Sequence, residues 1–325
     1  MKTISGFFLK RIVGAFFGGV FVMTVLACTD KTQANKSNTI QTVDAVRVSS
    51  KVDTEGDLLG NMILLLLEEN GIPTINKIQL GTTKIVRYAL LNNEIDIYPE
   101  YTGSAAFNFN NANNPAWKNA EATYNLGKNL DYEQNKIVWL KSAPANNTWA
   151  IAVRSDLAAS NNLKTLEDLS KYINDGHFFK MVASSEFMER GDALPLFEKT
   201  YAFKLKPNQV LPLPGGDVGV FAKAAAEQKS GVNAALVYGT SGAVAQLGLV
   251  VLEDSKMAQP IFEPVPMIRE SVLKKYPQIA DILNPVFSSL DLKTLQHLNG
   301  LVAFEGKDAK LVAADYLKSK GFLKQ

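Results

Sequence analysis

The residues best placed for chemistry stand in one stretch, Asp96-Ile97-Tyr98-Pro99-Glu100-Tyr101-Thr102-Gly103-Ser104. Ile95 and Ile97 make an apolar, β-branched run that reads as a strand. Pro99 is expected to end it, because proline lacks the N–H that a strand ladder needs. Gly103 then permits a tight turn. At that turn stand a ring, Tyr101, and two hydroxyls, Thr102 and Ser104. A rigid strand end presenting a ring beside small donors can bind a small molecule. An ordinary strand-to-helix turn with a half-buried tyrosine fits the same nine residues.

Catalytic sets are hard to assemble elsewhere. The two histidines, His177 and His297, stand apart in polar settings and read as surface residues. HExxH, CxxC, EF-hand and P-loop patterns are absent. Tyr238-Gly239-Thr240-Ser241-Gly242 resembles a serine elbow but lacks GxSxG spacing, and no histidine has an evident claim on Ser241. Gly215-Gly216-Asp217 is a helix entry without the GxGxxG fingerprint. Asp53, Glu55 and Asp57 form an acidic cluster that a solvated first helical turn explains, since the helix dipole favours acids there. With no positioned acid, base or nucleophile, the sequence points away from an enzyme, and no cofactor or metal is expected.

The elements around these residues alternate. Ala45–Ser49 is an alternating strand, and Thr54-Glu55-Gly56-Asp57 has capping-box spacing before a helix that runs to about Asn70. Ile75–Leu80 is a second strand, Gly81-Thr82-Thr83 opens a helix to about Asn92, and the strand Ile95–Tyr98 follows. Strand and helix in alternation mark an α/β fold with a mostly parallel sheet. A polar helical stretch around Trp117–Leu130, a strand Ile137–Leu140 and a break at Pro144–Trp149 come next. A second block holds strands at Ala150–Val153, Met181–Ser184, Val232–Tyr238 and Leu249–Leu252, with helices at Leu166–Tyr172 and from Gly215 to about Gln228. Pro260, Pro264 and Pro266 mark an extended return, and the remainder is helical. At 325 residues the chain has room for two domains. Two lobes joined by two crossovers, near Asn146–Trp149 and Asp254–Gln259, are expected: 45–147 plus 256–325 for lobe I and 148–255 for lobe II.

The N-terminus has the form of an export signal. Lys2, Lys10 and Arg11 precede the apolar run Ile12–Leu26, and Val25-Leu26-Ala27-Cys28 closes it in the manner of a bacterial lipobox. Residues 1–27 are therefore expected to be a lipoprotein signal peptide, Cys28 the lipidated residue, and 28–44 a polar tether. The formal charge of +2 includes those three cations, so the mature chain is near neutral, which speaks against a nucleic-acid partner. Cys28 is the only cysteine, so no disulfide can form within the chain.

Several motifs together resemble one family. Ser50-Lys51-Val52-Asp53-Thr54-Glu55-Gly56, Gln79–Thr83, Asp96–Gly103, Ala143–Trp149 and Val232–Ala235 are similar to the substrate-binding subunits of ABC importers for glycine betaine, choline and related osmoprotectants, of the OsmF (YehZ) type. The resemblance implies a two-lobed periplasmic-binding-protein fold, class II-like, closing on its ligand as a clamshell. It implies an aromatic cage for a quaternary ammonium at Tyr101, Trp149, Tyr238 and Phe262. It also implies a carboxylate pole at Lys51 and Arg190, with Ser104 as a hydroxyl donor. A trimethylammonium group has no N–H to donate, so ring faces and shape must hold it. Two cations favour a zwitterion over choline. Where Trp149 and Phe262 stand many members have Tyr, and where Ser241 stands many have Asp. The expected protein is an extracytoplasmic, lipid-anchored monomer that delivers a small quaternary amine to an ABC permease and its ATPase. Choline, carnitine, another small amine or amino acid, or a sensor role are the alternatives.

Overall fold

The computed structural model describes residues 45–213 and 218–324. The expected signal peptide, Cys28, the tether up to residue 44 and the helix entry at 215–217 lie outside these residues. The strands are β1 (Val46–Lys51), β2 (Thr74–Gly81), β3 (Ile97–Tyr101), β4 (Ile137–Trp139), β5 (Trp149–Arg154), β6 (Met181–Ser184), β7 (Val210–Leu213), β8 (Ala234–Tyr238), β9 (Leu249–Val251) and β10 (Pro264–Arg269). They form two five-stranded sheets, ordered β2-β1-β3-β10-β4 and β7-β6-β8-β5-β9.

Both sheets follow one plan. Three strands run parallel, β2, β1 and β3 in the first sheet and β7, β6 and β8 in the second. The fourth strand comes from the other side of a crossing and runs antiparallel: β10 between β3 and β4, and β5 between β8 and β9. The sheets are thus mixed rather than mostly parallel. The chain crosses between β4 and β5 and returns between β9 and β10. The crossing segments are tied together, because Asn147 N donates to the Phe262 carbonyl (2.9 Å) and Phe262 N donates to Asn146 Oδ1 (2.8 Å).

Pro99 does not end its strand but lies inside β3, opposite Pro266 of β10. In an antiparallel ladder alternate residues point their N–H away from the partner. Two prolines facing each other therefore leave no donor missing between those strands. The proline-rich return is itself the inner strand β10, between β3 and β4, for the same reason. Helix Leu194–Tyr201 and strand β7 were not expected from the sequence.

Helix Thr54–Glu69 buries Leu58, Leu59, Met62, Ile63, Leu66 and Leu67 in the core beneath the first sheet, at the i, i+3, i+4 spacing of one helical face. Its N-cap is Asp53, whose Oδ1 accepts from Gly56 N at 2.8 Å, rather than the expected Thr54. A separate core lies around the second sheet. Helix Leu292–Ala303 spans both regions: Leu295 and Leu298 are buried in the first core, and Phe304, just after it, packs against the second. The helix presses Gly300 onto Gly242. A Cβ on Gly242 would lie 2.3 Å from Gly300 N, so only glycine allows the approach.

Candidate functional site

The site is assembled from strand ends of both sheets. The β1/β2 register shifts between Ser49 and Lys51, where Gln79 takes a positive φ of 59°. The irregularity turns the end of β1 inward, and Lys51 is buried. Its Nζ pairs with Glu100 and lies 4.5 Å from the centroid of the Tyr101 ring. Glu100 is fully buried and also accepts from Tyr98 Oη (3.0 Å), Ser104 Oγ (3.0 Å) and Tyr101 N (2.8 Å). Lys51 and Ser104 are therefore both engaged with one carboxylate.

Tyr101 ends β3, and its hydroxyl donates to Glu55 Oε1 at 2.9 Å. Burial, with the Glu55 charge next, raises its phenol well above the ordinary range. Glu55 corrects an expectation. It does not belong to a solvated helical turn but is only 4% exposed, whereas Asp53 stays exposed. It accepts from Tyr101, from Asn147 Nδ2 (2.7 Å) and from Asn299 Nδ2 (2.6 Å). Burial raises its pKa, and contacts from Thr240, Asn147, Asn299 and Tyr101 oppose that shift.

The rings lie across the two crossing segments. Phe262 sits against Gly103, where a Cβ would come within 2.9 Å of its Cδ1 and 2.7 Å of the Ile261 carbonyl. Glycine is needed there for that approach. Phe262 stacks on Phe107, with centroids 6.5 Å apart and planes 8° from parallel. Trp149 opens β5 directly opposite Tyr238 at the end of β8. Phe187 meets the Trp149 ring edge-on at 5.6 Å. Burial raises the Tyr238 phenol.

Arg190 follows the short helix Ser185–Glu189 that leaves β6. Its guanidinium lies 4.7 Å from the Trp149 ring and 5.6 Å from that of Phe107. Asp192 grips it in a two-pronged pair (3.0 and 2.6 Å), and Glu186 takes a third N–H (2.6 Å). The Asp192 hydrogen bonds are the main cause of a raised guanidinium pKa. Among the described residues no group of three or more His, Cys, Asp or Glu side chains could hold a metal ion. His177 and His297 are both exposed.

A family model described as the substrate-binding domain of an ABC-type glycine betaine transport system matches residues 44–319. The chain belongs to this family. Among its relatives, the glycine betaine-binding protein YehZ of Escherichia coli (strain K12) is 59% identical over 285 residues, 88% of this chain and 93% of that protein. The solved structure of apo YehZ from Escherichia coli, 60% identical, matches at a TM-score of 0.73 and covers 86% of this chain and 99% of that one. A glycine-betaine-binding protein of Pseudomonas aeruginosa is 29% identical over 288 residues, 86% of this chain and 89% of that protein. The two-sheet α/β architecture agrees with the binding-protein fold of these relatives.

The seven residues expected at the site fall into two groups of contacts: Lys51, Tyr101 and Ser104 around Glu100, and Phe262, Arg190 and Trp149 around Phe107, with Tyr238 opposite Trp149. Lys51 and Tyr101 meet through Glu100, and Phe262 and Arg190 meet through Phe107. Glu55 was read otherwise, and Phe107 and Glu100 carried no recognisable signal. Phe107 falls three residues after Ser104, on a helix of only five residues, too short for any periodic pattern. Glu100 lies within the motif itself, but nothing in its neighbours marks it as the partner of Lys51.

Proposed function

We propose that this chain is the extracytoplasmic solute-binding subunit of an ABC importer and takes glycine betaine or a closely related zwitterionic quaternary amine. Two lobes, 45–147 plus 256–325 and 148–255, close on the ligand between them. Trp149, Tyr238, Phe262 and Tyr101 enclose the ammonium, with Phe107 as a further wall. The observation that carries this reading is Arg190, whose cation already rests against the faces of Trp149 and Phe107. A surface that holds an internal cation by its π-faces suits a trimethylammonium group, at about 0.5–2 kcal/mol per ring.

The carboxylate end belongs chiefly to Arg190. A guanidinium has five N–H donors, and three of these are engaged with Asp192 and Glu186, which leaves two for a ligand. Lys51 and Ser104 reach a ligand carboxylate only by sharing it with Glu100. The subunit works as a monomer held to the membrane by lipid on Cys28, and it presents its closed form to a permease and ATPase pair. Incorporation of labelled palmitate into the wild type and not into Cys28→Ser tests the anchor.

The binding test is calorimetric titration of residues 29–325 with glycine betaine and then choline. One-to-one binding of betaine, tighter than choline and abolished in Trp149→Ala and Tyr238→Ala, supports the reading. Binding of neither solute, or betaine binding that survives both substitutions, overturns it.

A further inference from the structure

A buried carboxylate links the two sides of the site through a helix that the cage itself does not include. Glu55 is the second residue of helix Thr54–Glu69, where backbone N–H groups favour a negative charge. Beside the Thr240 side chain, three donors reach it from three separate parts of the chain: Tyr101 at the end of β3, Asn147 in the first crossing, and Asn299 in helix Leu292–Ala303. Asn299 uses the same amide nitrogen a second time, donating to the Thr240 carbonyl at 3.0 Å. Thr240 is two residues beyond Tyr238, in the loop that leaves β8.

That loop is held on two faces. Gln296 Nε2 donates to the Gly239 carbonyl at 2.9 Å, and Gly242 packs backbone to backbone on Gly300. From the other face Gly239 N donates to the Thr148 carbonyl at 2.9 Å, and a Cβ on Gly239 would fall 2.2 Å from the Asn146 carbonyl. Asn299 is 6% exposed, and its Oδ1 has no hydrogen-bond partner among the described residues. An unmet buried acceptor is costly, so a residue present only for packing would be better replaced by an apolar one. Asn299 is there for its two donated bonds.

We propose that Glu55 and Asn299 are positioning residues of the binding site, which tie Tyr101 of the first sheet to the Tyr238–Gly242 segment of the second and so set the ring spacing that determines affinity. The proposal rests on the cage reading above, because it gives meaning to the distance between Tyr101 and Tyr238. Neither residue touches the ligand. Glu55 acts through the Tyr101 hydroxyl, and Asn299 acts through the Thr240 backbone.

The test compares Tyr101→Phe, Glu55→Gln, their double variant and Asn299→Ala in residues 29–325. Each is titrated with glycine betaine and melted in the absence of ligand. Tyr101→Phe keeps the ring face and removes the hydroxyl, and with it the bond to Glu55 and the longer bond that the hydroxyl accepts from Asn147 Nδ2 (3.2 Å). It is expected to weaken betaine about tenfold, the scale of one lost bond to a charged group. Glu55→Gln removes the charge and sets an amide N–H2 against the Asn299 or Asn147 donors; it is expected to weaken betaine as well, and the double variant to fall short of the sum of the two single losses, since both changes act on the Tyr101–Glu55 contact. Asn299→Ala is expected to weaken betaine similarly, and Asn299→Ser, which keeps a shorter donor, to recover part of the loss. Betaine affinities within twofold of the wild type, with only the melting temperature lowered, would overturn the proposal. So would full additivity in the double variant. If Glu55→Gln does not fold, Tyr101→Phe and Asn299→Ala decide the matter alone. A wild type that binds no quaternary amine fails the functional reading instead, and the two failures are distinct.

Discussion

The guanidinium of Arg190 stands 4.7 Å from the Trp149 ring while Asp192 holds it by two hydrogen bonds. One side chain thus faces a ring and a carboxylate at once. Arg190→Gln is expected to weaken glycine betaine far more than choline, because choline has no carboxylate to lose. Parallel titrations of both solutes check this, and equal losses would remove Arg190 from the carboxylate pole.

Phe107 is a second place to test the enclosure. Its ring stacks on Phe262 and faces Arg190. Phe107→Leu keeps bulk and removes the π-face. It should cost about 0.5–2 kcal/mol of betaine binding, roughly 2- to 30-fold in affinity. The melting temperature should change little, since Phe107 is only half-buried.

Lys51 answers first to Glu100. Removing the cation leaves a fully buried carboxylate with neutral donors only. Lys51→Met should therefore destabilise the fold by about 3 kcal/mol or more, and Lys51→Met with Glu100→Gln should regain most of that. Urea unfolding of the two variants checks the order. Affinities measured on Lys51→Ala alone would mix folding with binding.

Acid should unfold the first sheet through Asp96. Burial alone would raise this carboxyl, but hydrogen bonds from the Arg47 side chain and backbone, and from Arg269, outweigh it and hold the pKa below the ordinary 3.8. Arg47 grips it at 2.8 and 2.7 Å, and Arg269 at 2.8 Å. A carboxyl with a lowered folded pKa adds stability that is fully present above pH 3.8 and is lost as the pH falls through the folded value. Asp96→Asn should lower stability at neutral pH and flatten its decline on acidification. Denaturation midpoints from pH 7 to pH 2 would show it.

Gly242→Ala gives a steric test. The added methyl would meet Gly300 N, Gly300 Cα and the Gln296 carbonyl at 2.3–2.5 Å, all of them backbone atoms. None of these can rotate away, so the helix and the loop must part. A loss of about 1–3 kcal/mol is expected, seen as a lower melting temperature.

Legibility divides along the range of the interactions. Helix Leu166–Asn174 is visible because Thr165 and Asp168 form its capping box within four residues. Strands such as β6 and β8 are visible because their apolar runs are short and bounded by turn residues. Pro99 misled because the rule for proline depends on the partner strand, and Pro266 lies far along the chain. The sheets looked parallel because β5 and β10 enter from across the crossings, which local pattern does not record. Tyr101, Trp149, Tyr238 and Phe262 have no mutual spacing that marks a cage. Their candidacy came from family motifs, and their contacts only from the folded chain. Glu55 has the composition of a solvated N-terminal turn, and what buries it is Asn147 and Asn299, distant in sequence.

The strand exchange between the sheets has a consequence for how the molecule is made. A chain emerging from its N-terminus has β1, β2, β3 and β4 early, but the strand that joins β3 to β4 arrives only at Pro264–Arg269. The second sheet, by contrast, is complete once β9 has appeared, so it can close first. The earlier-made sheet is then finished last, and until that moment β3 and β4 have no common neighbour. Such dependence on distant pairing slows folding.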